Sequence, residues 1–107
     1  MGTKGDKHTN DSALTAEHLR EKLMSIQDIT TKKMFGGYGI FHEEKMFGIV
    51  DSKGQAFLKV DDLNRPEFEQ AGAQPHGKMP YLSIPEEVMK NQDTLIEWAK
   101  TSIAISK

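Results

Sequence analysis

The chain contains no cysteine among its 107 residues. That absence excludes a disulfide framework, thiolate metal sites and a cysteine nucleophile. Long apolar runs are missing too. None approaches the roughly 18 residues that a membrane-spanning helix requires, and the first residues have no hydrophobic stretch of the kind a secretory signal needs. A basic excess is also lacking, with 14 Lys and Arg against 16 Asp and Glu for a net charge of −2. Dedicated nucleic-acid binders draw most of their affinity from cationic contacts to phosphate, so the global charge argues against direct DNA binding. A cytoplasmic location fits these features and is the expectation.

Apolar content is 36%, enough for one core in a chain of this length. Residues 1–12 carry no apolar side chain after the initiator and read as a disordered tail or leader. Residues 13–107 read as one domain. Its densest stretch runs from Lys32 to Val60 and holds Phe35, Phe41, Phe47 and Phe57 among short apolar segments divided by glycines and turn formers. Such spacing predicts successive antiparallel strands at Ile29–Phe35, Tyr38–Glu43, Met46–Asp51 and Gln55–Val60. Asp51-Ser52-Lys53-Gly54 suits a type I turn with Gly54 at positive φ. Phe57 falls on the opposite face from Ala56, Leu58 and Val60, which suggests a second apolar face and an interface there.

Helices flank these strands. Thr15 is the expected cap of a first helix whose Leu19, Leu23 and Ile26 share one face, with Leu14 stapled against Leu19. Asn64-Arg65-Pro66-Glu67 has the form of a capping box, and Gly72 suits the position just past a helix end. Met79–Ile84 predicts a last strand, at an edge because Pro80 has no N–H. Ser83-Ile84-Pro85-Glu86 repeats the capping pattern ahead of a short helix. Asn91 is expected to cap a final helix carrying Leu95, Trp98, Ala99, Ser102 and Ile103 on one stripe. The expected fold is α+β, an antiparallel sheet of about five strands with helices on one face, in the order αββββαβαα.

Chemistry-bearing motifs are few. Gly37-x-Gly39 begins a dinucleotide fingerprint, but position 42 is His and the segment leads into a strand, so no helix terminus meets a phosphate. His42-Glu43-Glu44 starts like a zinc-protease motif, but Met46 stands where the second His belongs. His8, His18, His42 and His76 show no ligand spacing, so no metal or cofactor is expected. No nucleophile elbow is present. Glu43-Glu44 and Glu86-Glu87 read as turn and helix-start residues, whereas Asp61-Asp62 with Arg65 is the one polar group that could line a small-ligand or enzymatic pocket. Arg20, Lys22, Lys32 and Lys33 are the local cations available for a nucleic-acid or partner contact. On Lys32 and Lys33 the same charge also guards a strand edge.

Met34-Phe35-Gly36-Gly37-Tyr38-Gly39-Ile40-Phe41, Met46-Phe47, Leu58-Lys59-Val60-Asp61, Met79-Pro80-Tyr81 and Pro85-Glu86-Glu87 follow one another in an order that resembles the N-terminal domain of the TfoX/Sxy family. The resemblance runs from about Leu19 to Ile103. Its most specific residues are Met34, Phe35, Gly36, Gly37, Tyr38 and Gly39 with Met79, Pro80 and Tyr81. It implies a small α+β domain of the kind found in bacterial regulators of competence for DNA uptake, here as a stand-alone member without the family's C-terminal domain. It further implies a partner of the cyclic-AMP receptor protein type and carries no catalytic residues. The expectation is a non-enzymatic regulatory domain acting through protein contacts. A ligand-binding or enzymatic role at Asp61, Asp62 and Arg65, or a homodimeric module, are the alternatives.

Overall fold

The structure is a computed structural model that describes residues 4–34 and 36–107, with side-chain environments from Ser12 onward. Phe35, part of the glycine-rich block, lies outside the described residues. Helix α1 (Lys4–Lys22) is followed by β1 (Ile29–Met34), β2 (Gly37–His42), β3 (Lys45–Val50) and β4 (Ala56–Lys59). Then come α2 (Arg65–Gln70), β5 (Tyr81–Ser83), α3 (Glu86–Lys90) and α4 (Gln92–Ser106). The α+β order expected from the sequence is the one observed.

The five strands form one antiparallel meander in the order β1-β2-β3-β4-β5. Alternation sets two faces. On the inner face, Ile40, Val50, Ala56, Leu58, Val60, Leu82 and Ile84 meet Ala16, Leu19 and Leu23 from the α1 end and Leu95, Ala99 and Ile103 of α4 in one core. Phe47 belongs to this core because of a β-bulge. Ile40 pairs with Gly48 while Phe41 pairs with Met46, which leaves Phe47 as an extra residue on β3. Strict alternation would send Phe47 outward with Ile49. The bulge instead turns it inward, where it is fully buried.

Helix α1 begins at Lys4, upstream of the expected cap Thr15. Leu14 is 54% exposed, so the proposed staple to Leu19 is absent. Helix α1 ends at Lys22, so of the expected stripe only Leu19 is helical, and Leu23 and Ile26 reach the core from the turn that follows. The inward stripe of α4 is as expected, and its Trp98 ring meets Phe68 of α2 at 4.5 Å between centroids. Asn91 caps α4, its Oδ1 accepting from the Thr94 N–H at 3.1 Å. Two other capping expectations are corrected. Asn64 is buried and accepts from the Asp61 N–H at 2.8 Å while donating to the Lys59 carbonyl at 3.2 Å. Its side chain thereby braces the β4–α2 turn and makes no cap bond to its helix. Before α3, the cap position is Pro85, and the Ser83 hydroxyl accepts from the Gln74 N–H at 2.8 Å.

Turn chemistry follows the sequence at Gly54 and Gly72, with φ of 87° and 81°. The Asp51 carboxylate accepts from the N–H groups of Lys53 and Gln55 at 2.9 and 2.8 Å, closing the β3–β4 turn. Among the described residues the two sheet edges differ. The segment Gln74–His76 runs beside β5, with Ser83 N–H donating to the Gln74 carbonyl and His76 N–H to the Tyr81 carbonyl. Pro75 bridges to Leu82 within it, a ladder position that needs no donor from proline. On the far side, β1 pairs with β2 alone.

Candidate functional site

The outer face of the sheet is not simply solvated, because β2 and β3 carry Gly39, Phe41, Met46 and Ile49 there. Gly39 sits in the middle of this surface. A Cβ built on it would stand 2.6 Å from Met34 Sδ, 2.8 Å from Phe41 Cε1 and 3.0 Å from Met46 Sδ. The glycine therefore makes room for two thioethers and an aromatic edge. Gly37 is tighter still: a Cβ there would lie 1.9 Å from the Val50 carbonyl oxygen, so only glycine fits where β2 starts beside the end of β3.

The loop from Ala73 to Pro80 folds across part of this face. Phe57, expected to present an interface, is instead 5% exposed, with the His76 imidazole edge-on to its ring at 4.7 Å. The Tyr81 hydroxyl donates to the Met46 carbonyl at 3.3 Å and fixes the loop's exit over β3. Burial pushes the Tyr81 phenol above its ordinary value of 10.0. Between loop and sheet lies a cavity of about 270 Å³, with Met34, Met46, Ile49, His76 and Met79 in its walls and Asp51 and Ser52 at one end. His76 Nδ1 is buried without a hydrogen-bond partner. A buried polar atom left unpaired is uncommon enough to mark a site worth explaining.

Residues from three of the blocks singled out in the sequence reach this cleft. Met34, Tyr38 and Met79 line it, Gly39 leaves room for the Met34 and Met46 sulfurs, and Tyr81 bonds to the Met46 carbonyl. Pro80 accepts from the Val60 N–H through its carbonyl, which aligns the chain entering β5. Gly36 takes φ of 79° at the turn between β1 and β2.

The cations Arg20, Lys22, Lys32 and Lys33 are not brought into one patch. Lys22 is half-buried, its ammonium donating to the Met89 carbonyl at the end of α3. Lys32 lies on the outer face with its ammonium 5.4 Å from the Phe41 ring centroid. Lys33 is exposed and faces the other way from Lys32 along the strand. Arg20 edges a shallow hollow of about 380 Å³ with Met24, Ile26 and Asp28.

At the β4–α2 junction the Asp61 carboxylate accepts from the Leu63 N–H at 2.8 Å, and the Asp61 carbonyl accepts from the Arg65 N–H at 3.0 Å. Asp61 is thus a turn former. A broader hollow of about 710 Å³ lies elsewhere, between the β3–β4 turn, Gly72 and the start of α3. Among the described residues no cluster of His, Cys, Asp and Glu is arranged to hold a metal.

Sequence comparison settles the family. The family model for the TfoX N-terminal domain matches residues 21–106. The chain belongs to this family. No curated protein sequence matches it. In this TfoX N-terminal domain, Met34 and Tyr38 of the glycine-rich block, Met46 and Met79 are distant in sequence, and they meet around one outer-face cleft. Reading the sequence alone missed Ile49, Asp51, Ser52 and His76 as its lining. The parity of β3 could have indicated Ile49, but no local signal places His76 over Phe57.

Proposed function

We propose that this TfoX N-terminal domain is a non-enzymatic regulatory module of bacterial competence that works in the cytoplasm through protein contacts. The observation that carries this reading is the family match over residues 21–106. The partner we assign is a transcription regulator of the cyclic-AMP receptor protein type, with promoter DNA held by that partner. The net charge of −2 supports this division, because a domain without a cationic excess gains little from phosphate contacts of its own. The exposed cations Arg20, Lys32 and Lys33 are the contact residues proposed here. Because Lys32 and Lys33 face opposite ways along β1, they would meet acidic groups of the partner on either side of that edge strand. Lys22 is left out, since its ammonium is taken by Met89.

A pull-down with the full chain against such a regulator, RNA polymerase and competence-promoter DNA tests the reading. Retention of the regulator is the expected result, strengthened when promoter is present. Retention of none of the three removes the reading.

A second reading is a homodimer, favoured by the outer edge of β1, which pairs with no other strand among the described residues. Sedimentation of a monomer at high concentration excludes it. The Asp61, Asp62 and Arg65 reading receives no comparable support, because the Asp61 carboxylate is already engaged by backbone.

A further inference from the structure

The outer-face cleft gathers an unusual donor set. Of the six methionines in the chain, Met34, Met46 and Met79 line one cavity, together with His76. The sulfurs of Met34 and Met46 come from β1 and β3, on either side of β2, and flank the same glycine, within 2.6 and 3.0 Å of the point where its Cβ would stand. His76 and Met79 come from the covering loop, joined as a turn by the bond from Met79 N–H to the His76 carbonyl. Tyr81 ties that loop to the carbonyl of Met46 itself. Thioethers from the sheet and a thioether and imidazole from the loop therefore face a common space. The imidazole has a buried Nδ1 with no partner.

We propose that this cleft is a binding site for a single soft monovalent cation, Cu(I), held by the thioethers of Met34 and Met46, the imidazole of His76 and, on the open side, Met79. Ligand softness selects the ion. Thioethers are polarisable and neutral, and they favour Cu(I) over hard cations, which take carboxylate and carbonyl oxygen. Charge selects it too. All four donors are neutral, and taking a divalent ion out of water without an anionic ligand costs far more than taking a monovalent one. Asp51 at one end of the cavity supplies a negative charge nearby while its Oδ1 stays committed to the Lys53 and Gln55 N–H groups.

Gly39 leaves the space the two sulfurs occupy. Met79, at 44% exposed, forms a wall that can swing to admit the ion. This site is independent of the competence reading, since either stands if the other fails.

The test uses the full chain with Ag(I) as a redox-inert probe and with Cu(I) kept reduced by ascorbate under anaerobic conditions. Methionine methyl groups are followed by carbon-edited NMR during titration, and affinity is measured by competition with a Cu(I)-specific chromophore. The expected result is saturation at one equivalent, with shifts at the methyls of Met34, Met46 and Met79 and none at Met24 or Met89. Met34→Leu and Met46→Leu preserve apolar volume and are expected to keep the fold. Each should weaken binding at least tenfold, as should His76→Phe, which retains an aromatic ring against Phe57. A circular dichroism melt of each variant separates lost binding from lost fold. Should Ag(I) and Cu(I) leave the methyls unmoved, shift Met24 and Met89 equally, or bind folded variants as tightly as the parent, the site is refuted.

Discussion

Glu43 and Glu44 form the two-residue turn between β2 and β3, with φ of 50° and 73°. Hairpin turns of this kind need positive φ at both central positions, which asparagine and glycine adopt far more readily than glutamate. The nearby ion pair from Glu43 to Lys107, at 3.9 Å and exposed, adds little in return. Glu44→Gly should therefore stabilise the domain by about 1 kcal/mol, seen as a higher urea midpoint at unchanged slope. A lower midpoint would mean that Glu44 makes a contact worth more than its strained backbone. Gly37 predicts the reverse. Alanine there would drive a methyl into the Val50 carbonyl, and a loss of about 1–3 kcal/mol or more is expected in the same assay. Gly37 and Gly39 were both visible in the sequence as glycines among the strands. Which of them touches backbone and which makes room for sulfur depends on register, and no residue pattern displays that.

At the scale of elements, the β5 edge and its covering loop depend on Tyr81. Its phenol is buried, and its ionisation is raised above 10.0 by loss of hydration. In the unfolded chain the phenol titrates near its ordinary value, so folding holds the proton longer than unfolding does. The contribution is fully present below about pH 10 and is lost as pH rises through the folded-state value. Alkaline melts should show stability falling above about pH 10, and Tyr81→Phe should flatten that fall while costing about 0.5–1.5 kcal/mol at neutral pH for the lost bond to Met46. An identical alkaline profile in the variant would show that Tyr81 is not the group responsible.

The elements themselves were largely legible. Apolar alternation located the strands, 3.6-residue spacing located the inner face of α4, and Asn91 marked the start of α4; the first helix ends at Lys22, before Leu23 and Ile26 of its expected stripe. What stayed hidden was non-local. Phe47 joins the core only because β3 gains a residue against β2, and Asn64 leaves its capping role to brace a carbonyl of β4. His76 reaches the outer face because the loop before β5 folds back along it. Each depends on partners distant in sequence.

Among the described residues, the domain presents one face packed by helices, one covered edge at β5 and, at β1 beside Lys32 and Lys33, one edge that pairs with no further strand. Family membership supports the regulatory role proposed above, and Met34, Tyr38, Met46 and Met79 of the family blocks gather at the outer-face cleft. The central claim is that the domain acts by binding a regulator through its exposed cations. Surface plasmon resonance tests it most directly, with the full chain immobilised and a cyclic-AMP receptor protein type regulator passed over it, with and without promoter DNA. The account predicts saturable binding by the parent chain, weakened about tenfold in a folded Lys32→Glu, Lys33→Glu variant. Absence of binding by the folded parent in either condition, or equal binding by the variant, would contradict it.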